Sequence, residues 1–236
     1  MRYNFRPFAS VLVALSLTGL VIAAAAEPGK KKSKQAKPET MLFDGSSLAA
    51  WDCHLVDANV RLEDVWTIQD GTLICKGEPL GYLHTKNDYQ DFRLTLEWRW
   101  APGKEPGNSG VLLRATGEPV GFMPKCAEAQ LKHGSAGDIW GFFGFQAKGP
   151  QERVREVKGH EALGDFAGVA AMKNLERAPG EWNTYQIVLR GDKLMLSVNG
   201  EKVNEATGCD VVAGKIGLQS EGGEIHFRNI KLVPLD

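Results

Sequence analysis

The chain is 236 residues long, 43% hydrophobic and 24% charged, and its 28 Lys and Arg nearly balance 29 Asp and Glu at a formal net charge of -1. The balance is uneven, because residues 1–39 hold seven of the cations and two of the acids, which leaves the remainder at about -6. A domain that acidic lacks the positive surface a nucleic acid requires, so no nucleic-acid partner is expected.

Arg2 and Arg6 precede an apolar stretch from Phe8 that ends in Ala24, Ala25 and Ala26. A basic start, an apolar middle and small residues at the end read as a secretory signal peptide over residues 1–26. An uncleaved membrane anchor fits this Ala-, Ser- and Gly-rich stretch less well. The first cysteine is Cys53, so no lipid-acceptor cysteine stands at the cleavage point. The expectation is an exported protein, periplasmic or extracellular, with no stable membrane insertion after cleavage. Residues 27–39, EPGKKKSKQAKPE, hold nothing able to seed a core and read as a Lys-rich disordered linker. Residues 40–236 have the length of one all-β domain with a proper core.

In that domain, short runs alternate between apolar and polar side chains and are separated by Gly, Asn, Asp and Pro. Strands are expected over 65–68 and 72–75, joined at Gln69-Asp70-Gly71, then over 92–100, 110–114, 127–132, 182–190, 194–198, 215–219 and 225–232. Alternation assigns Leu94, Leu96, Trp98, Val111, Leu113, Ile187, Leu189, Leu196, Val198, Ile216, Leu218 and Phe227 to the core. Asn199-Gly200 forms a further hairpin tip. No stretch shows sustained helical periodicity, which implies an all-β sandwich or jelly roll. Residues 134–179 read as a long irregular excursion of the kind that carries function. Its Trp140, Phe142, Phe143 and Phe145 are either a sugar-stacking platform or a satellite core. Cys53, Cys75, Cys126 and Cys209 allow three disulfide pairings or none.

The blocks LFDGSSLAAW, IQDGTLICKGEPLGYLHTKNDYQDFRLTLEWRW, NSGVLLR, AEAQLKHGSAGDIWGF, GEWNTYQIVLRGDKLMLSVNGEKV and GKIGLQSEGGEIHFRNIKLVPL follow one another across residues 41–235. Together they resemble the DUF1080 domain, a family of 3-keto-glycoside 1,2-lyases and 3-keto-2-hydroxy-glucal hydratases. The resemblance implies a concanavalin-like jelly-roll sandwich of two antiparallel sheets, exported by bacteria that degrade glycans. It also implies 3-keto-glycosides or 3-keto-disaccharides as substrates, oxidised beforehand by a partner glycoside 3-oxidoreductase. Arg114 and Glu128 lie inside its motifs, which marks both for the site.

A ketone at sugar carbon 3 acidifies the hydrogen on carbon 2, so a base removes it and the enolate expels the glycosidic oxygen from carbon 1. Water adding to the alkene completes a net hydrolysis. The chemistry needs a base, a cation beside the enolate and an aromatic surface for the ring. Strand parity gathers Glu97, Arg99, Arg114, Glu128, Gln130, Lys132 and Gln219 on one polar face of the sandwich, as the lining of a groove. Glu128, Arg114 and Glu97 are the catalytic candidates; Arg99, Gln130, Asn108, His133, Asp138, Trp140 and Gln219 are the substrate-binding ones. The same charges also suit the ordinary outer face of a sandwich with cross-strand Glu–Arg pairs. The sequence fixes no cofactor; Glu128, His133 and Asp138, spaced by five, form one candidate divalent-metal set.

Two other classes compete. A retaining sandwich glycosidase needs the strand motif ExDxxE, which this chain lacks. A non-catalytic carbohydrate-binding module uses the same polar groups, and only their geometry separates it from an enzyme.

Overall fold

The computed structural model describes residues 1–4 and 38–236, so most of the expected leader and of the linker lies outside the described residues. Residues 40–236 form two antiparallel eight-stranded sheets. The first sheet runs, in spatial order, β14 (Glu201–Ala206), β13 (Lys193–Val198), β12 (Asn183–Arg190), β6 (Phe92–Trp100), β16 (Ile225–Pro234), β4 (Thr72–Cys75) and β3 (Trp66–Gln69). Its eighth strand, β1 (Thr40–Phe43), also pairs with β16. The second sheet runs β10 (Val154–His160), β11 (Gly164–Val169), β9 (Ile139–Phe142), β8 (Met123–Gln130), β7 (Gly110–Val120), β15 (Lys215–Ser220), β5 (Gly81–Thr85) and β2 (Trp51–Leu55). Among the described residues helix is confined to one turn at Leu62–Val65 and a 3-10 turn at Gln151–Arg153, and none is long and apolar enough to cross a membrane.

Period-two alternation builds both layers. On β6, the side chains of Leu94, Leu96 and Trp98 are fully buried, and cross-strand neighbours Ile187 and Tyr185 join them from β12. Val111, Leu113, Ala127, Ala129, Ile216 and Leu218 oppose them from the second sheet, so one continuous core fills the space between the layers. All twelve residues assigned to the core by alternation are buried there. The hairpin tips follow their residues: Asp70-Gly71 and Asn199-Gly200 both take left-handed backbone at two successive positions, the type I′ geometry that matches strand twist.

Residues 134–179 are irregular only in part, chiefly over 143–150 and 170–179. They contain β9, β10 and β11, which extend the second sheet to its edge. Their alternation is masked by glycines, which stand where backbones crowd. A Cβ on Gly168 would come within 2.5 Å of the Trp140 ring, and one on Gly141 within 2.3 Å of the Phe145 carbonyl oxygen. All four cysteines are free thiols.

Candidate active site

The second sheet turns a second set of side chains away from the core. Tyr82, Leu112, Met123, Cys126, Phe142 and Leu163 form a satellite cluster there, with Trp140, Phe143 and Phe166 packed against it. Beside this cluster opens a cavity of about 290 Å³. Its floor is β8, where alternation sends Glu128 and Gln130 outward while Ala127 and Ala129 face the core. Trp140 lies directly across from Glu128 on β9, and the β10–β11 hairpin closes the far wall with Val157, His160, Leu163 and Phe166. Asn108, Lys132 and Glu221 line it from the loops at the strand ends.

Three carboxyl groups enter this space. Glu128 is 1% exposed, and its Oε1 has no hydrogen-bond partner. Burial, reinforced by the charges of Glu221 and Asp138, holds its carboxyl well above the usual carboxylate range. The carboxyl lies against Gly110 of β7, where a Cβ would come within 1.9 Å of Oε1. Burial also raises Glu221, to about 7, against the opposing effects of an Asn108 hydrogen bond and the nearby Lys132 charge. Asp138 is raised by burial too, offset by the Ala171 N–H that donates to its Oδ1 at 2.7 Å.

The donors are equally defined. Gln130 Oε1 accepts from the backbone N–H of Leu131 at 2.9 Å and of Lys132 at 2.8 Å. That fixes the amide and leaves its NH₂ for the cavity. His160 Nδ1 accepts from the N–H of Ala162 and Leu163 at 3.3 and 3.2 Å, which leaves the ring proton on Nε2. Lys132 supplies the cavity's one ammonium group.

Of the residues proposed from sequence, Glu128, Gln130, Asn108, Asp138 and Trp140 line this cavity together. Gln219 sits behind it, its Nε2 3.8 Å from the sulfur of Met123 and its Oε1 unpartnered. The others lie elsewhere. Arg114 does not follow strand parity, because the register shifts between Leu113 and Thr116 and Arg114 takes a φ of +50°. Its buried guanidinium instead ties loops together, bonding the carbonyls of Gln90 (2.8 Å), Asp210 (2.5 Å) and Gly191 (2.9 Å) and the Asp91 carboxylate (2.9 Å). Glu97 and Arg99 stand on the first sheet, on the opposite side of the sandwich. Glu97 accepts from Arg228 at 2.7 Å and Asn229 at 2.8 Å, and the Arg99 and Arg228 guanidiniums flank the Trp182 ring at 4.5 and 4.0 Å. Parity separates inward from outward but does not say which sheet a strand joins. His133 bonds Glu176 at 3.0 Å, away from the cavity. Among the described residues no three His, Cys, Asp or Glu side chains are grouped to hold a metal ion, so the Glu128, His133 and Asp138 set does not form.

The profile of the 3-keto-alpha-glucoside-1,2-lyase-like domain matches residues 38–233. The chain belongs to this family. The lyase-like domain also resembles solved structures. A candidate glycosyl hydrolase from Parabacteroides distasonis aligns with a TM-score of 0.60 at 20% identity, covering 84% of this chain and 94% of that one. The carbohydrate-binding module CBM66 from Bacillus subtilis aligns with a TM-score of 0.54 at 14% identity, covering 77% and 94%. A β-glucanase from Bacillus licheniformis aligns with a TM-score of 0.51 at 13% identity, covering 86% and 100%. At these identities the likeness is one of fold, and the fold is the concanavalin-like sandwich. No curated protein sequence matches the chain.

Three residues of the lyase-like domain's cavity were not legible as site residues. Glu221 follows Gln219 by two and shares its parity, but it stands outside the strand, before the Gly222-Gly223 turn. His160 and Phe166 sit on strands hidden within the glycine-rich stretch, which gave neither a period nor a motif. The aromatic alternatives resolve by residue: Trp140 and Phe142 line the cavity from the satellite cluster, whereas Phe145 belongs to the main core.

Proposed function

We propose that this chain is an exported enzyme that cleaves 3-keto-glycosides by elimination across carbons 1 and 2, followed by hydration. The observation that carries this reading is the pair of cavity carboxyls whose surroundings separate their titrations. Glu221, raised to about 7, exchanges a proton near neutrality, while complete burial favours the protonated form of Glu128. Two carboxyls held apart in this way divide the work of base and acid.

In the assignment we favour, Glu221 takes the hydrogen from carbon 2 and the electron pair shifts toward the carbon-3 oxygen. The Gln130 amide and the Lys132 ammonium lie in the same cavity to meet the developing enolate charge. As the pair returns, the bond from carbon 1 to the glycosidic oxygen breaks and Glu128 supplies the proton to the departing oxygen. The unsaturated ketone left behind takes up water to complete a net hydrolysis. Trp140, Phe142 and Phe166 offer flat apolar surface for the ring. An oxidoreductase acting on carbon 3 of glycosides is the partner such a pathway needs, and the periplasm or extracellular space is where the leader would deliver the protein.

The test is incubation with a 3-keto-glucoside, following aglycone release and the ultraviolet absorbance of the enone. Turnover with an enone transient supports the reading. Binding without turnover would favour a carbohydrate-binding module, and equal cleavage of unoxidised glucosides would overturn elimination.

A further inference from the structure

The block GEWNTYQIVLRGDKLMLSVNG contains two asparagines that the chemistry above does not use, and the structure shows what they hold. Asn183, buried on β12, accepts at Oδ1 from the backbone N–H of Arg177 at 2.9 Å and from Asn199 Nδ2 at 2.9 Å. Asn199, at the tip between β13 and β14, donates from the same nitrogen to the Leu175 carbonyl at 2.8 Å and accepts at Oδ1 from the Thr184 N–H at 2.9 Å. The residues on either side of Glu176 are thereby tied to the first sheet. The Glu176 N–H itself donates to Asn174 Oδ1 at 2.9 Å.

So presented, Glu176 reaches the loop that follows β8. Its side chain is 2% exposed. Oε1 accepts from Trp100 Nε1 and from His133 Nδ1, both at 3.0 Å, and Oε2 accepts from the Gly134 N–H at 2.7 Å. Trp100 belongs to the main core, so the carboxyl is braced from the inside of the sandwich. His133 and Gly134 follow directly on Lys132, which lines the cavity. The other side of this loop is held as well: the Lys132 N–H donates to Gln130 Oε1 at 2.8 Å and the His133 N–H to the Gly107 carbonyl at 3.1 Å. A lysine carries its charge on a long flexible stem, so the space its ammonium searches is set by where its backbone is held.

We propose that Glu176 is a positioning residue for the reaction: it clasps the His133–Gly134 turn to the first sheet and so keeps the Lys132 ammonium over the cavity, where the enolate charge develops. The role of Lys132 rests on the reading above, in which its charge meets that enolate. Asn183 and Asn199 are then the footing of the clasp, which gives the two asparagines of the block a use beyond the turn they mark.

The experiment measures kcat and KM for a 3-keto-glucoside in the wild type, Glu176→Gln, Lys132→Met and the double variant, with backbone amide exchange of the wild type and Glu176→Gln followed by NMR. Gln keeps the size of the side chain but turns an NH₂ toward groups that can only donate, so the clasp opens. In Glu176→Gln kcat is expected to fall about 10- to 100-fold with KM little changed, because a displaced ammonium is missed only where the enolate charge forms. Lys132→Met should fall at least as far, and adding Glu176→Gln to it should cost nothing more, which a general loosening of the fold would not reproduce. The Lys132 and Gly134 amides should exchange about 10-fold faster or more in Glu176→Gln, while those of β6 and β12 keep wild-type rates. If Glu176→Gln does not fold, His133→Ala takes its place: that side chain is 44% exposed and supplies one of the three donors, so a smaller fall in kcat is expected, again absent in the Lys132→Met background. Full activity in the clasp variant, or a loss that adds to that of Lys132→Met, overturns the inference while the proposed function stands. If no keto sugar is turned over, that function fails and the amides decide the clasp alone: faster exchange confined to the loop at Lys132 and Gly134 supports it, and unchanged exchange overturns it.

Discussion

Replacing Glu221 with Gln should make the protein more stable and less active, with both effects tied to one titration. The side chain keeps its size but no longer ionises. In the fold Glu221 titrates at about 7 rather than at its ordinary 4.5, chiefly because burial penalises the charged form. Below the ordinary value both folded and unfolded chains are protonated there, and the residue costs nothing. As pH rises toward 7 the unfolded chain ionises first, so the folded state loses relative stability. Above 7 both forms are ionised and the deficit levels off. At about 1.36 kcal/mol per pH unit between the two values, the deficit reaches roughly 3 kcal/mol by pH 8. Urea denaturation of wild type and Glu221→Gln at pH 5, 6, 7 and 8 should show the variant's advantage growing over that interval. In parallel, wild-type kcat/KM should rise with pH through about 7 as the base ionises, and the variant should lose roughly 10²- to 10⁴-fold together with that limb. A stability difference that does not change from pH 5 to 8, or a pH limb that survives in Glu221→Gln, would refute the assignment of Glu221 as the base.

Glu128→Gln removes the proton offered to the leaving oxygen, so turnover of a 3-keto-glycoside should fall about 10²- to 10⁴-fold with ring binding retained, read by kinetics beside calorimetry. Gly110→Ala places a Cβ 1.9 Å from Glu128 Oε1 and displaces that carboxyl from its seat; activity should fall as far as in Glu128→Gln for a stability cost of about 1–3 kcal/mol, and unchanged kinetics would separate Glu128 from catalysis. Arg114→Met strands three carbonyls and the Asp91 carboxylate, so urea denaturation should show a loss of about 3–5 kcal/mol while the folded variant keeps its kcat; a stable but inactive variant would return Arg114 to the site.

The sandwich was legible because its strands obey a period of two over buried, β-branched or aromatic runs, and the NG and DG tips set the turns. The site was legible only in part, for three physical reasons. Alternation on β6 and on β8 is the same pattern, yet one strand belongs to the sheet that bears the cavity and the other to the opposite sheet, so Glu97 and Glu128 look alike until pairing is known. Arg114 sits at a bulge, where one inserted residue cancels the parity that had aimed it outward. Glu221 stands beyond the last strand residue that alternation could place, where a Gly-Gly turn brings it back over the cavity. What brought Glu128, Gln130 and Trp140 together was their spacing along two strands paired in register, with Asp138 one residue before the second of them and its carbonyl bonded to the Gln130 N–H, and that much the sequence does carry.

The two halves of the cavity are built in different ways, and this bears on what each contributes. The acid–base groups stand on β8 and on loops clamped by glycine contacts, above the main core, into which Ala127 and Ala129 of the same strand are packed. These groups are the ones whose burial lowers stability, as the Glu221 titration illustrates, and a rigid core beneath them offsets that cost. The aromatic wall is carried by an edge hairpin. Three register pairs join β11 to β9, and the free side of β10 faces solvent with Arg155, Glu156 and Lys158 exposed along it, charges that blunt an open strand edge. Changes in the hairpin can therefore reshape the surface offered to a sugar or its aglycone without disturbing the carboxyl pair. The burial that raises the Glu128 carboxyl comes from the sheet and from Gly110 as well as from that wall, so the chemistry rests on the part of the fold backed by the main core.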